Sequence, residues 1–196
     1  EDILIAGGVT NYVTVGAGVF AGINSCYTFC SEPHWDGTLA DSAITNNVKQ
    51  FISEGGNFFA QCKGVDTYEN YTVDHIVTTN GIFITNQTIS HQYSNPDLAF
   101  MQFNGDLAEN EGGSERNWTL EAGSNWVNGF YYGVSHSDID TIVASGAHII
   151  SPDSAGGNVF YMGGHDYAAF SDLERIILLN ADLCCFSKSA LTLSKD

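Results

Sequence analysis

The sequence predicts an α/β domain, and three observations predict it. An amphipathic helix runs straight into a short, continuously apolar strand, "NFFA" (57–60). A second strand and helix, "NVFYMGG" and "SDLERIILLNADL", stand near the C-terminus. Between them lies a long stretch, about 66–157, made of strand-like pieces with no helical period. Continuous apolar strands alternating with helices mark a sheet with helices packed on it, and the intervening stretch reads as a β-rich insertion.

Taken in order, "DILIAGG" (2–8), "VTVGAGVFAGI" (13–23) and "INSCYTFC" (23–30) are apolar or β-branched and read as strands, the last ending in the polar loop "SEPHWDG". In "LADSAITNNVKQFISEGG" the apolar residues Ile44, Val48, Phe51 and Ile52 fall on one helical face, and Gly55 and Gly56 close the helix. "NFFA" then leads into Gln61-Cys62-Lys63-Gly64. Within the insertion, "GIFIT", "AFMQF", "NWTLEA" and "NGFYYGV" are short strand candidates set among Thr, Asn and Gly. "TIVASGAHIIS", "PDSAGG" and "NVFYMGG" read as strand, turn and strand. Ser171-x-x-Glu174 is a capping box that opens the last helix.

The chain has 196 residues, enough for one domain with a full core. Its 43% hydrophobic and 15% charged residues are a folded composition. With 23 acidic against 6 basic residues, the net charge is −17, which repels nucleic acid and anionic membranes and excludes both as partners. No apolar run approaches the roughly 20 residues of a membrane span. Three Asn-x-Thr sequons, at Asn70, Asn86 and Asn117, together with five Cys, point to an extracellular, N-glycosylated, cell-surface domain. The abrupt start and the polar tail "SKSALTLSKD" read as one module excised from a larger surface protein or fibre. Other copies or modules of such an assembly, or glycans, are the expected partners.

The five cysteines, Cys26, Cys30, Cys62, Cys184 and Cys185, allow at most two bridges. A bridge from Cys62 to Cys26 or Cys30 on the neighbouring strand is one reading of the "QCKG" turn. The other is a nucleophile, for which a thiol needs help to ionise from a helix N-terminus, a cation or a histidine. Lys63 and His165 are candidates for that help, with Asp166 beside the histidine. In "EPHWD", Glu32, His34 and Asp36 share one face of an extended loop and form a candidate divalent-cation site; no other cofactor is implied. Trp118, Trp126, Tyr131 and Tyr132 read as strand aromatics packing on a core, with a sugar-stacking surface as the alternative. In an α/β sheet, sites form beyond the carboxyl ends of the strands. The segments 31–36, 61–64 and 163–167 fall at those ends.

"GNVFYMGGHDYAAFSDLERIILLNADL" (157–183) resembles the C-terminal strand, Gly-His-Asp and helix of ThuA-like (trehalose-utilisation) proteins. "VKQFISEGGNFFAQCKGV" (48–65) resembles the helix, strand and cysteine turn of the wider class I glutamine amidotransferase-like superfamily. The two stretches cover about a quarter of the chain. The resemblance implies a flavodoxin-like parallel sheet with helices on both faces, Cys62 as nucleophile and His165 as its base. The acid expected two residues past the base is missing: Tyr167 stands there, and the nearest carboxylate is Asp166. Lys63 also replaces the small residue expected after the nucleophile. A structural, adhesive or binding role is therefore the leading expectation, and a Cys62–His165 hydrolase of amides or glycan-linked groups is the alternative.

Overall fold

A computed structural model of the chain describes residues 11–23, 29–32, 35–71, 75–85, 91–93, 117–127, 130–136, 142–150 and 155–163. The architecture is α/β, with a flavodoxin-like parallel unit and a β-rich insertion. The strands "DILIAGG" and "AFMQF", the C-terminal helix, and Cys26, His34, Asn86, His165, Asp166, Cys184 and Cys185 lie outside the described residues.

Strand β1 (Phe29–Glu32) leads through a 3-10 turn (Leu39–Asp41) into helix α1 (Ser42–Ser53). Asp41 fixes that entry: its Oδ2 accepts from Thr38 N and Oγ1 at 2.8 and 3.0 Å, and its N donates to Thr38 O at 2.8 Å. Helix α1 buries Val48, Phe51 and Ile52, the face its periodicity predicts. It ends in a Schellman motif: Gly56 N donates to Phe51 O and Gly55 N to Ile52 O, with Gly55 at φ +105° where a side chain would be strained. Strand β2 (Asn57–Gln61) follows, buried along its whole length as a central parallel strand should be.

Strand β2 lies between β1 and β8 (Ala155–Met162), parallel to both. Cys30 pairs with Phe58 and Phe58 with Val159, so these side chains share a face with Ala60 and Tyr161. Helix α1 and a second helix, α2 (Lys63–Asn70), pack on that face through Val48, Ile52, Val65 and Tyr68. Phe59, Phe160 and Met162 point to the other face and are buried too. The start of β8 comes so close to the α1–β2 turn that a Cβ on Gly157 would lie 1.7 Å from the Gly56 carbonyl oxygen. Asn57 Oδ1 accepts from both Asn158 N and Asn158 Nδ2, which pins the same junction.

The insertion between α2 and β8 supplies β3 (Ile82–Thr85), β4 (His91–Tyr93), β5 (Asn117–Leu120), β6 (Phe130–His136) and β7 (Ile142–Ile150). All its pairings are antiparallel, and β7 joins it to β8. The sheet runs β1-β2-β8-β7-β5-β3, with β6 on β7 and β4 on β6.

Two expectations are corrected. Residues 13–23 are not a strand: 17–22 form a 3-10 segment, and Val13 and Val19 are exposed. Gly16, Gly18 and Gly22 leave such a segment few side chains to pack in a sheet. Instead Phe20 enters the core with Ile23 packed against it, and Asn47 Nδ2 of α1 donates to the Phe20 and Ile23 carbonyls at 2.6 and 3.1 Å. The insertion also begins after residue 70 rather than at 66, because 63–70 are helical. Helix α2 buries Asp66, Thr67 and Glu69 as well as Val65 and Tyr68, so it has no apolar stripe to betray it.

Candidate functional site

Strands β1, β2 and β8 are adjacent and parallel, so their carboxyl ends converge at one edge of the sheet. Cys62 sits at the centre of that edge. It follows the last residue of β2, caps α2, and is fully buried. Its backbone has φ 53° and ψ −123°, the one positive φ outside glycine among the described residues. Such a conformation costs on the order of 1–3 kcal/mol and persists only when the surroundings impose it. Here they do: Cys62 N donates to Met162 O of β8 at 2.9 Å, and Cys62 O accepts from Val65 N at 3.1 Å. The strand–turn–helix with a strained cysteine at its apex is the geometry of a nucleophile elbow. Met162 stands three residues before His165, which itself lies outside the described residues.

The register separates Cys62 from one of its two candidate disulfide partners. Cys30 is level with Phe58, four residues before Cys62 on β2. At roughly 3.3 Å per residue that is about 13 Å, well past the roughly 7 Å that a bridge spans. Cys30 lies in the core under the helices, not at the strand ends.

Among the described residues, the charges around the elbow are engaged with one another. Lys63 Nζ lies 3.3 Å from Asp66 Oδ2 and 3.8 Å from Asp36 Oδ1. Asp66 occupies the first turn of α2, and its Oδ1 accepts from Asn70 Nδ2 at 2.6 Å. Of the candidate cation ligands, Glu32 ends β1 and Asp36 faces the Lys63 ammonium, which competes with any metal for it. Trp35, between them, packs its ring against Tyr68 at 5.8 Å. Thr67 ties this loop down, donating to Trp35 O at 2.7 Å and accepting from Gly37 N at 3.0 Å.

Two sequons are occupied by structure. Asn70 Nδ2 donates to Asp66 Oδ1 and to Ile82 O at 3.0 Å, while its Oδ1 accepts from Ile82 N at 3.0 Å. Both amide protons are used. Asn117 is 0% exposed and its side chain is hydrogen-bonded to the Thr85 hydroxyl. In the folded chain both side chains are therefore engaged inside the structure. Trp118, beside it, is a core residue against Tyr161, and so leaves the sugar-stacking alternative.

At the far end of α2 stands a group that sequence reasoning missed. Glu69 is fully buried and accepts three hydrogen bonds. Val77 N (2.9 Å) and Tyr161 Oη (2.7 Å) donate to its Oε1, and Thr78 Oγ1 (2.8 Å) donates to its Oε2. Burial pushes the Glu69 carboxyl above its ordinary range against the opposing pull of these donors, and burial beside Glu69 pushes the Tyr161 phenol well up. The only sequence signal is "YEN" at the end of a helix without an apolar stripe.

No family model matches the chain, and no curated protein matches it. Solved structures do resemble it. A cytoplasmic protein from Salmonella typhimurium aligns with 93% of this chain over 84% of its own length, at 9% identity and a TM-score of 0.54. The mmIFT52 N-terminal domain aligns with 93% of this chain over 82% of its own, at 10% identity and a TM-score of 0.44. At such identities the first likeness is one of fold alone.

Proposed function

We propose that this chain is an extracellular module that uses an amidotransferase-like scaffold for binding or assembly and does not hydrolyse glutamine. One observation carries the reading: among the described residues, the charges at the elbow are paired with one another. The Lys63 ammonium is shared by Asp36 and Asp66, and Asp66 already offsets the positive end of α2. Cys62 itself is buried. The missing acid after His165 and the net charge of −17 support the same reading. The partners are other copies or modules of a surface assembly, or glycans. The strained backbone is then architecture, set by the junction of β2, β8 and α2.

A second reading is favoured by the φ and ψ of Cys62: a hydrolase of amides or glycan-linked groups with Cys62 as nucleophile and His165 as base. Turnover of a panel of amide and ester substrates by the intact chain and by Cys62→Ala separates the two. The binding module gives the same background rate for both proteins. Turnover that disappears in Cys62→Ala overturns it in favour of the hydrolase. Sedimentation over a range of protein and calcium concentrations then tests self-assembly directly.

A further inference from the structure

Three stretches of chain that are distant in sequence meet at one carboxyl group. Glu69 reaches it from α2, Val77 and Thr78 from the segment 75–81, and Tyr161 from β8. The segment 75–81 is the root of the insertion. It pairs with 121–127 through Thr79 N to Asn125 O and Val127 N to Val77 O, and it leads directly into β3. Thr78 passes the connection on, since its Oγ1 also accepts from Gly81 N at 3.0 Å. Glu69 is thus the polar joint between the insertion and the parallel unit.

We propose that Glu69 is a proton-sensitive clasp that fixes the root of the insertion to the parallel sheet and holds more firmly when its carboxyl is protonated. The donors on the carboxyl are an amide, a phenol and a hydroxyl, all neutral, so an anion there is buried without a counter-ion among them. Adding a proton does not dismantle the joint. Oε1 continues to accept from Val77 N and Tyr161 Oη, and the carboxyl O–H donates to Thr78 Oγ1 in place of the reverse bond.

Among the described residues, few groups face the joint. Tyr68 comes from α2 and Tyr161 from β8. His75 comes from the 75–81 segment, its Nδ1 against the Glu69 carbonyl, and its charge favours the anion. From α1, Lys49 Nζ reaches the His75 carbonyl at 2.9 Å rather than the carboxyl. From β5 comes Trp118, which has no titrating group. Because burial outweighs the donors, the folded state holds this proton more tightly than the unfolded chain does. The stabilisation is complete below the ordinary carboxyl pKa and is lost as pH rises through the elevated one.

Amide hydrogen exchange of the intact chain between about pH 5 and about pH 8, corrected for intrinsic rates, tests this at the Val77 and Gly81 amides. The amides of α1 serve as the internal reference. In the wild type the opening constant at Val77 rises at least about tenfold more than in α1 across that range, and in Glu69→Gln the excess disappears. Tyr161→Phe removes a donor that favours the anion, so it moves the wild-type transition to higher pH. This variant decides the matter alone if Glu69→Gln does not fold. Parallel profiles at Val77 and in α1, an unchanged slope in Glu69→Gln, or an unmoved transition in Tyr161→Phe overturns the clasp.

Discussion

The two ends of helix α2 hold two tightly constrained residues, and they are constrained in opposite ways. At the N-terminal end Cys62 is held by its backbone, bent into a positive φ by hydrogen bonds to β8 and to the first turn of the helix. At the C-terminal end Glu69 is held by its side chain, with ordinary helical backbone and three donors on its carboxyl. Cys62 has the shape of a reactive centre and is fenced by paired charges. Glu69 has the sequence of a surface residue and organises the core. Backbone strain and buried polarity both mark special positions, and the buried carboxyl ties the root of the insertion to β8.

The comparison can be broken most forcefully at Glu69. Glu69→Leu leaves the Val77 amide, the Tyr161 hydroxyl and the Thr78 hydroxyl buried without their acceptor, and a loss of about 4 kcal/mol is expected in urea unfolding. Next comes Gly157→Ala, which drives a methyl into the Gly56 carbonyl and costs about 3 kcal/mol by the same measurement. Asn70→Ala removes the two-way clamp on the Ile82 backbone and costs about 2 kcal/mol. In protein secreted from a glycosylating host, peptide mapping finds the folded fraction unmodified at Asn70 and Asn117. The smallest effect sharpens the Cys62 end. Glycine there relaxes the positive φ that alanine retains, so Cys62→Gly is more stable than Cys62→Ala by about 1 kcal/mol, the reverse of their usual order in regular structure.

Much of the parallel unit is legible in the sequence because local rules and the fold agree there. The stripe Ile44, Val48, Phe51, Ile52 marks α1, the glycine pair marks its Schellman end, and the continuous apolar run of β2 marks a central strand. The elbow at Cys62 is legible for the same reason, since strand, cysteine and glycine stand in one short run. The root of the insertion is not. Helix α2 buries acids and a threonine, and no local pattern encodes a hydrogen bond to Glu69 from Tyr161, 92 residues away in sequence. The partners of the sequon asparagines are hidden for a related reason. Asn70 and Asn117 match the acceptor pattern by their neighbours in sequence, whereas their hydrogen-bond partners in the fold are Ile82 and Thr85. The 3-10 segment at 17–22 is hidden by its glycines, where β-branched residues suggest a strand that has no face to pack.

The most direct test of the account is the rate at which iodoacetamide modifies Cys62 in the native chain near pH 6, read by peptide mass spectrometry against the same residue in denaturant. An elbow kept as architecture, buried and with its neighbouring charges already paired, reacts more slowly when folded than when unfolded. Faster modification of the native protein than of the unfolded chain would mean an activated thiolate at Cys62, and would contradict the binding-module reading.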